Sequence, residues 1–366
     1  MSDRILRWSK VDIIEDNDVR KVVHWFYVPC NPDYKFPHDG RGKDMPEANE
    51  YWTFYPDGTI VKYFTYTPKL DTGHRSWYEF MELIPIAGST SDPVDHVDHP
   101  TLHLMNLDGD IDAYHPGPRD NGGFNSETNK WKQMISVAHF KDMPDAFNAW
   151  STDPEVPDTY SHYYIYYDIS WHKTGKFRLS HWPVGLEPWQ GSVSSKSTWT
   201  AEVAHSGLMG GGYFVGGLDW DEHYKTDKRG RKYRDWSTLI GLNKSNDFEG
   251  VKNMTKSWLF PGKVKMLNSN STFDKINYGQ KEFVFTNTAE KTDCSFTINP
   301  TAKSTTLTNP VFKINNYNSP SAKVAVDSIV LMAGEDFRFA KEGDAAVIWI
   351  KGKFSSPTEF MIQAGQ

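Results

Sequence analysis

Apolar and polar positions along this chain alternate mostly with a period of two, in short runs broken by Gly, Pro, Asn and Asp. Residues 22–28 (Val-Val-His-Trp-Phe-Tyr-Val) are largely apolar and predict a strand buried on both sides. Residues 51–55 and 59–66 flank Pro56-Asp57-Gly58. Pro and Asp-Gly set turn dihedrals directly, so this segment predicts a β-hairpin. Further strands are predicted at 78–86, 102–104, 134–140, 283–287, 295–299, 311–315, 324–331, 346–351 and 359–364. Helical spacing is rare. Residues 144–150 predict a short helix with Pro144 in its first turn, and 271–277 predict another helical turn.

These elements predict an all-β chain with a large N-terminal antiparallel β-sandwich of jelly-roll or super-sandwich type. A smaller C-terminal β-sandwich follows. The boundary is placed at 265/266, giving units of 1–265 and 266–366, because the Trp, Tyr and His density thins out beyond it. No repeat of about 20–50 residues is present, which argues against propellers and solenoids.

Composition narrows the function. Aromatic residues make up 14% of the 366 residues, too many for disorder and well suited to stacking on sugar rings. A net charge of -7 leaves no basic excess to meet nucleic-acid phosphates. No apolar run approaches the roughly 18 residues of a membrane span. Cys30 and Cys294 have no metal-ligand spacing, and sequence leaves open whether they pair. The chain is expected to be a monomer, and secreted or periplasmic after loss of a leader, with a cytoplasmic location left open.

Candidate chemistry concentrates in residues 160–184, read as two strands joined by Lys173-Thr174-Gly175. Alternation places Tyr164 and Tyr166 on one face and Tyr163 and Tyr167 on the other. His162, His172 and His181 add imidazoles, which titrate near neutrality. His181 lies between Ser180 and Trp182-Pro183, where Pro ends the ladder and turns the imidazole toward a cleft. Downstream, six glycines fall within residues 207–217, too many for a stable strand interior. Either a ligand or a neighbouring sheet must come close to that backbone, with Tyr213 facing it and His205 at its entrance. Six cations fall within residues 225–234, among them Arg229, Arg231 and Arg234. That run is either a solvated hairpin tip or a rim that binds anions. The acidic run 106–112 is the place for a structural Ca²⁺ or a plain turn, and His96, His99 and His103 form a weaker metal candidate. Nucleophile-elbow, Cys/His and dinucleotide signatures are absent.

Five blocks together resemble a family of polysaccharide-degrading β proteins that includes ulvan lyases. They are 22–25 (Val-Val-His-Trp), 51–58, 102–110, 180–184 (Ser-His-Trp-Pro-Val) and 257–259 (Ser-Trp-Leu), and the likeness extends over about residues 8–350. It implies a β-sandwich polysaccharide lyase of marine-bacterial type. Related chains carry Asn before His-Trp-Pro-Val, where this one has Ser180.

The expected activity is therefore β-elimination on a uronate-containing, sulfated polysaccharide of the ulvan kind, with no required cofactor. Such a lyase needs a base for the proton beside the carboxylate, a group that neutralises that carboxylate, and an acid for the leaving oxygen. His181, Tyr213, His205 and Tyr166 are the catalytic candidates. Arg178, Tyr164, Trp182, Arg229, Arg231 and Arg234 are the substrate-binding ones, with Trp182 or Trp189 as sugar platform. His24, His103 and His139 form the reserve set. A glycoside hydrolase with paired carboxylates and a non-catalytic glycan-binding protein remain the alternatives.

Overall fold

The Pro56-Asp57-Gly58 hairpin shows how sequence becomes structure here. Asp57 Oδ1 accepts from Thr59 N (3.0 Å) and Thr59 Oγ1 (2.6 Å). Gly58 takes a φ of +79°, which an L side chain rarely adopts. The flanking strands then pair residue for residue, from Phe54 opposite Ile60 to Glu47 opposite Thr67.

The computed structural model describes residues 8–28, 46–67, 77–83, 97–114, 133–151, 156, 208–215, 225–288 and 293–365, with segments 77–83 and 208–215 described by backbone alone. In chain order the first strands are β1 (Ser9–Asp16), β2 (Lys21–Tyr27), β3 (Glu47–Phe54), β4 (Ile60–Thr67), β5 (Trp77–Leu83) and β6 (Val97–Met105). They continue with β7 (Ile111–Tyr114), β8 (Gln133–Phe140), β9 (Asp145–Ser151), β10 (Leu208–Val215), β11 (Lys225–Thr226) and β12 (Lys232–Asn243). Ten of them form one antiparallel sheet in the order β1-β2-β3-β4-β12-β9-β8-β6-β7, with β11 added to β12. β10 pairs with β5 and passes against β8 and β6.

Residues directly opposite one another share a face, so the registers sort this sheet into two surfaces. One carries Val61, Leu239, Ala149, Phe147, Ile135, Val137 and Met105. These pack on Val251, Trp258 and Leu259 of the helix α1 (Phe248–Leu259) and on Val311, Val347 and Trp349 beyond it. The other face buries polar and charged groups among aromatics: Glu50, Lys62, Arg234, Thr238, Asn148 and Ser136 beside Tyr27, Phe64, Tyr66, Trp150 and Trp236. Glu50 accepts from Tyr27 (2.9 Å) and Trp52 (2.8 Å) and lies 3.5 Å from Lys62.

After α1 come β13 (Lys263–Met266), β14 (Ser271–Asn277), β15 (Glu282–Asn287), β16 (Cys294–Asn299), β17 (Leu307–Thr308) and β18 (Val311–Asn315). Then follow β19 (Ala322–Val326), β20 (Ile329–Val330), β21 (Phe337–Glu342), β22 (Ala345–Ile350), β23 (Lys353–Phe354) and β24 (Thr358–Ala364). Two five-stranded sheets, β13-β16-β24-β19-β20 and β14-β15-β18-β22-β21, make a sandwich. Its core is a phenylalanine stack, with Phe285 and Phe296 at 4.3 Å and Phe296, Phe312 and Phe360 in contact. Buried Cys294 is a free thiol in that core, its pKa pushed up to about 12 by burial.

The chain is all-β with a sandwich architecture, as its patterning predicts. Three local readings are corrected. Residues 145–150, expected in a helix, belong to β9 instead: Phe147 and Ala149 face one side, Asn148 and Trp150 the other, and all four are buried. Central placement between two strands overrides the helical spacing. Residues 271–277 form the edge strand β14, bulged between Phe273 and Lys275. Residues 208–215 form the strand β10 despite their glycines, with a bulge between Met209 and Gly211. Conversely, the helix α1 is not among the predicted elements, although Val251, Thr255, Trp258 and Leu259 are spaced as one helical face and the Asp247 cap accepts from Gly250 N.

An ion-pair cluster joins the large sheet to the C-terminal sandwich. Arg20, buried at the β1–β2 turn, donates through Nε to Glu15 (2.5 Å), through Nη1 to Glu282 (2.5 Å) and through Nη2 to Glu342 (2.9 Å). Lys313 adds a second cation, 3.2 Å from Glu342. Burial, followed by a hydrogen bond with Glu342, raises the Glu15 pKa. For Glu342 burial acts upward as well, but Arg20, Glu15 and Lys313 outweigh it and hold its pKa below the usual range.

Candidate functional site

The helix-side face stays half exposed toward the β1 edge, beyond the reach of α1. There His24, Tyr51, Tyr63 and Ser237 stand directly opposite one another on β2, β3, β4 and β12. Asn49 and Asp235 fall one pleat away on the same face. A strand needs aromatic and β-branched residues on whichever side it packs, and here tyrosines meet that need while keeping a hydroxyl outward.

The geometry of the row is specific. The His24 and Tyr51 rings stack at 4.4 Å with an interplanar angle of 7°. His24 Nε2 lies 3.0 Å from Asn49 Oδ1. An amide oxygen there requires the proton on Nε2, which leaves the Nδ1 lone pair as a proton acceptor. Among the described residues the Tyr51 hydroxyl and the Asn49 amide nitrogen have no hydrogen-bond partner. Burial raises the Tyr51 pKa, so the phenol keeps its proton. Tyr63 OH donates to Asp235 Oδ2 (2.8 Å), which also accepts from Lys225 Nζ (2.7 Å). The 3-10 turn Tyr278–Gln280 closes this side: a Cβ on Gly279 would lie 3.1 Å from the Tyr63 ring, so only glycine fits without displacing it. Imidazole, phenol, amide and ammonium thus share one accessible surface.

A second histidine group is enclosed. His139 Nδ1 lies 2.8 Å from Asp145 Oδ2, and His139 Nε2 lies 2.6 Å from His103 Nδ1. Phe248 of α1 packs edge-on against both imidazoles. Asp145 Oδ2 also accepts from Asn246 N (2.8 Å), which ties the relay to the entry of α1. His139 and Asp145 are buried, so this relay braces the helix against β6, β8 and β9.

The candidates predicted from sequence are placed as follows. Tyr164, Tyr166, Arg178, His181, Trp182, Trp189 and His205 lie outside the described residues, as does Cys30. Tyr213 is on β10 opposite Glu79, with only its backbone described. The arginines of the basic run do not gather. Arg229 is exposed at the β11–β12 tip, Arg231 pairs with Asp227 and Glu47 (2.9 Å each), and Arg234 is buried opposite Tyr66 on the far face. In the acidic run, Asn106 Oδ1 accepts the amides of Asp108, Gly109 and Asp110, closing a hairpin turn. Among the described residues no group of three or more His, Cys, Asp or Glu is placed to hold a metal. The row therefore uses one reserve residue, His24, and partners that sequence reading treated only as strand formers. The signal that could have found them was the run Asn49–Tyr51 read together with Val22–Trp25 as neighbouring strands.

No family model matches the chain, and no curated protein matches it. Among solved structures, the N-terminal domain of the Streptococcus gordonii adhesin Sgo0707 aligns over 96% of this chain and 82% of its own, at 8% identity and a TM-score of 0.17. A score that low carries no argument. Among the described residues no helix is long and apolar enough to cross a membrane.

Proposed function

We propose that this chain is a polysaccharide lyase that cleaves a uronate-bearing, ulvan-like polysaccharide by β-elimination on the His24–Tyr51 row. The observation that carries the reading is the stacked imidazole and phenol beside an amide, each with an unused proton-transfer or hydrogen-bonding atom. His24 Nδ1 takes the proton from the carbon beside the carboxylate. The Asn49 amide donates to that carboxylate and favours its enolate form. Tyr51 OH gives a proton to the departing glycosidic oxygen, so that one C–H and one C–O bond break and a C=C bond forms. Lys225, held by Asp235, adds positive charge beside the row. A proton acceptor and a proton donor of this kind each contribute about 10²–10⁴-fold. A polymer substrate places the work outside the cytoplasm, in a secreted or periplasmic protein.

Incubation with ulvan, alginate, pectin and glycosaminoglycans, followed by ultraviolet absorbance and reducing ends, tests this. Both signals rising on one polymer supports the lyase. Reducing ends alone point to a hydrolase, and binding without either signal to a glycan-binding protein.

A further inference from the structure

Among the described residues β1 is the terminal strand of the ten-stranded sheet, and its outer edge has the features of a self-pairing surface. The Trp8 carbonyl accepts from Val28 N at 2.9 Å. Antiparallel alternation from that bond turns the N–H and C=O groups of Ser9, Val11 and Ile13 away from β2. No partner is found for these outward backbone groups among the described residues, although the Ser9 hydroxyl accepts from Trp25 Nε1 (2.9 Å). The same strand exposes large apolar side chains: Val11 at 60% and Ile13 at 67% of their surface, with Trp8 and Ile14 beside them. Natural sheets usually blunt such an edge with charge or a bulge. Here the bulge comes only between Ile13 and Glu15, which leaves residues 9–13 regular.

The charges do not repel a second copy; they select its register. Lys10 and Asp12 flank Val11 symmetrically on the face opposite the exposed Val11 and Ile13. Outward hydrogen-bonding groups restrict an antiparallel partner to registers that pair Ser9, Val11 and Ile13 with one another. Pairing Val11 with Ile13 sets Asp12 against Asp12, and pairing Val11 with Ser9 sets Lys10 against Lys10. Pairing Val11 with its own copy sets each Lys10 against an Asp12. Both neighbouring registers thus oppose like charges, and the central one opposes unlike charges twice. The C-terminal edge strand β20 also exposes Ile329 and Val330, but two residues are too short for such a ladder.

We propose that the protein forms a two-fold homodimer through β1, with Val11 on the axis and the two ten-stranded sheets made continuous. The interface is isologous, as a two-fold requires. A two-fold normal to the sheet leaves both His24 rows on the same side of the joined surface. The monomer expected from sequence omits this edge, because pairing potential along a strand is visible only once the strand is known to be terminal.

Sedimentation equilibrium of the whole chain over a wide concentration range is the test. The expected result is a reversible monomer–dimer equilibrium. Lys10→Asp and Asp12→Lys each create two like-charge pairs and raise the dissociation constant by about tenfold or more. The double exchange Lys10→Asp/Asp12→Lys restores association to within about threefold of the parent. Val11→Cys gives a disulfide-linked dimer on oxidation that the parent chain does not, because Cα atoms of a hydrogen-bonded pair lie about 5.5 Å apart. Unchanged melting curves confirm that each variant folds. A monomer at all concentrations, a dimer indifferent to the single reversals, or a double exchange that fails to restore pairing each overturns the proposal.

Discussion

The C-terminal sandwich and the large sheet bury their interiors in opposite ways. Between the two C-terminal sheets, phenylalanines stack on phenylalanines, and the buried polar side chains Ser271, Asn287 and Thr358 stand at strand ends. On the far face of the large sheet, Glu50, Lys62, Arg234, Asn148 and Ser136 lie buried among aromatics. The half-exposed part of its helix-side face carries His24, Asn49, Tyr51 and Asp235. Dispersion and area burial suffice for the first kind of interior. The second kind must satisfy each charge and hydroxyl with a partner, since an unpaired buried polar group costs about 1–3 kcal/mol. The sandwich interior is built mainly from apolar contact, whereas the sheet keeps polar groups that stability alone does not require, and the proposed site lies among them.

Substitutions can break this contrast. Phe312→Ala removes a fully buried ring from the centre of the stack and should cost about 3–5 kcal/mol in denaturant unfolding, with no specific effect on polymer cleavage. Arg20→Met should cost about 3 kcal/mol or more, because Glu15, Glu282 and Glu342 are then left together without their guanidinium. A loss below about 1 kcal/mol would show that the sheet and the sandwich are held by apolar contact alone. His24→Ala should lower lyase turnover by about 10²-fold or more, and Tyr51→Phe by a similar or smaller factor, while melting temperature barely moves. Wild-type rates in both, with loss in His181→Ala, would move the chemistry to the histidine favoured by sequence.

A smaller effect sharpens the contrast at the junction. Glu15 has a raised pKa in the folded protein, so the stability it contributes is complete at low pH and is lost as pH rises through that value. Glu342 has a lowered one, so its contribution is present above the ordinary carboxylate range and fades as pH falls. Stability should therefore peak where the pair holds a single proton. Thermal melts of Glu15→Gln against pH should lose the alkaline limb and keep the acid one. Smallest of all, Arg229→Ala at the exposed hairpin tip should leave stability within about 0.5 kcal/mol, read in the same melts.

Local patterning was enough for much of the fold. The Pro56-Asp57-Gly58 hairpin, β8, β18 and β24 follow from alternation and turn chemistry, because register and facing are set within a few residues. The two helical readings failed for the opposite reason. Ala146, Phe147, Ala149 and Trp150 fit either period, and only burial on both sides between β12 and β8 made them a strand. The site was less legible. His24, Tyr51, Tyr63 and Asp235 are spread over more than 200 positions of sequence, and β12 inserts beside β4 long after β4 is made. Their shared face follows from long-range pairing, which no local signal encodes. Arg231 and Arg234 make the same point in reverse. Three residues apart, they separate because Arg231 lies in the turn before β12 and pairs with Glu47 and Asp227, whereas Arg234 lies within β12 with its side chain buried. The all-β class, several strands and their tight turns follow from short-range sterics and polarity in the sequence by itself, whereas β9, β12 and β14 are not predicted as strands. Only the tertiary structure decided which polar residues meet, because that depends on the order in which distant strands lie side by side.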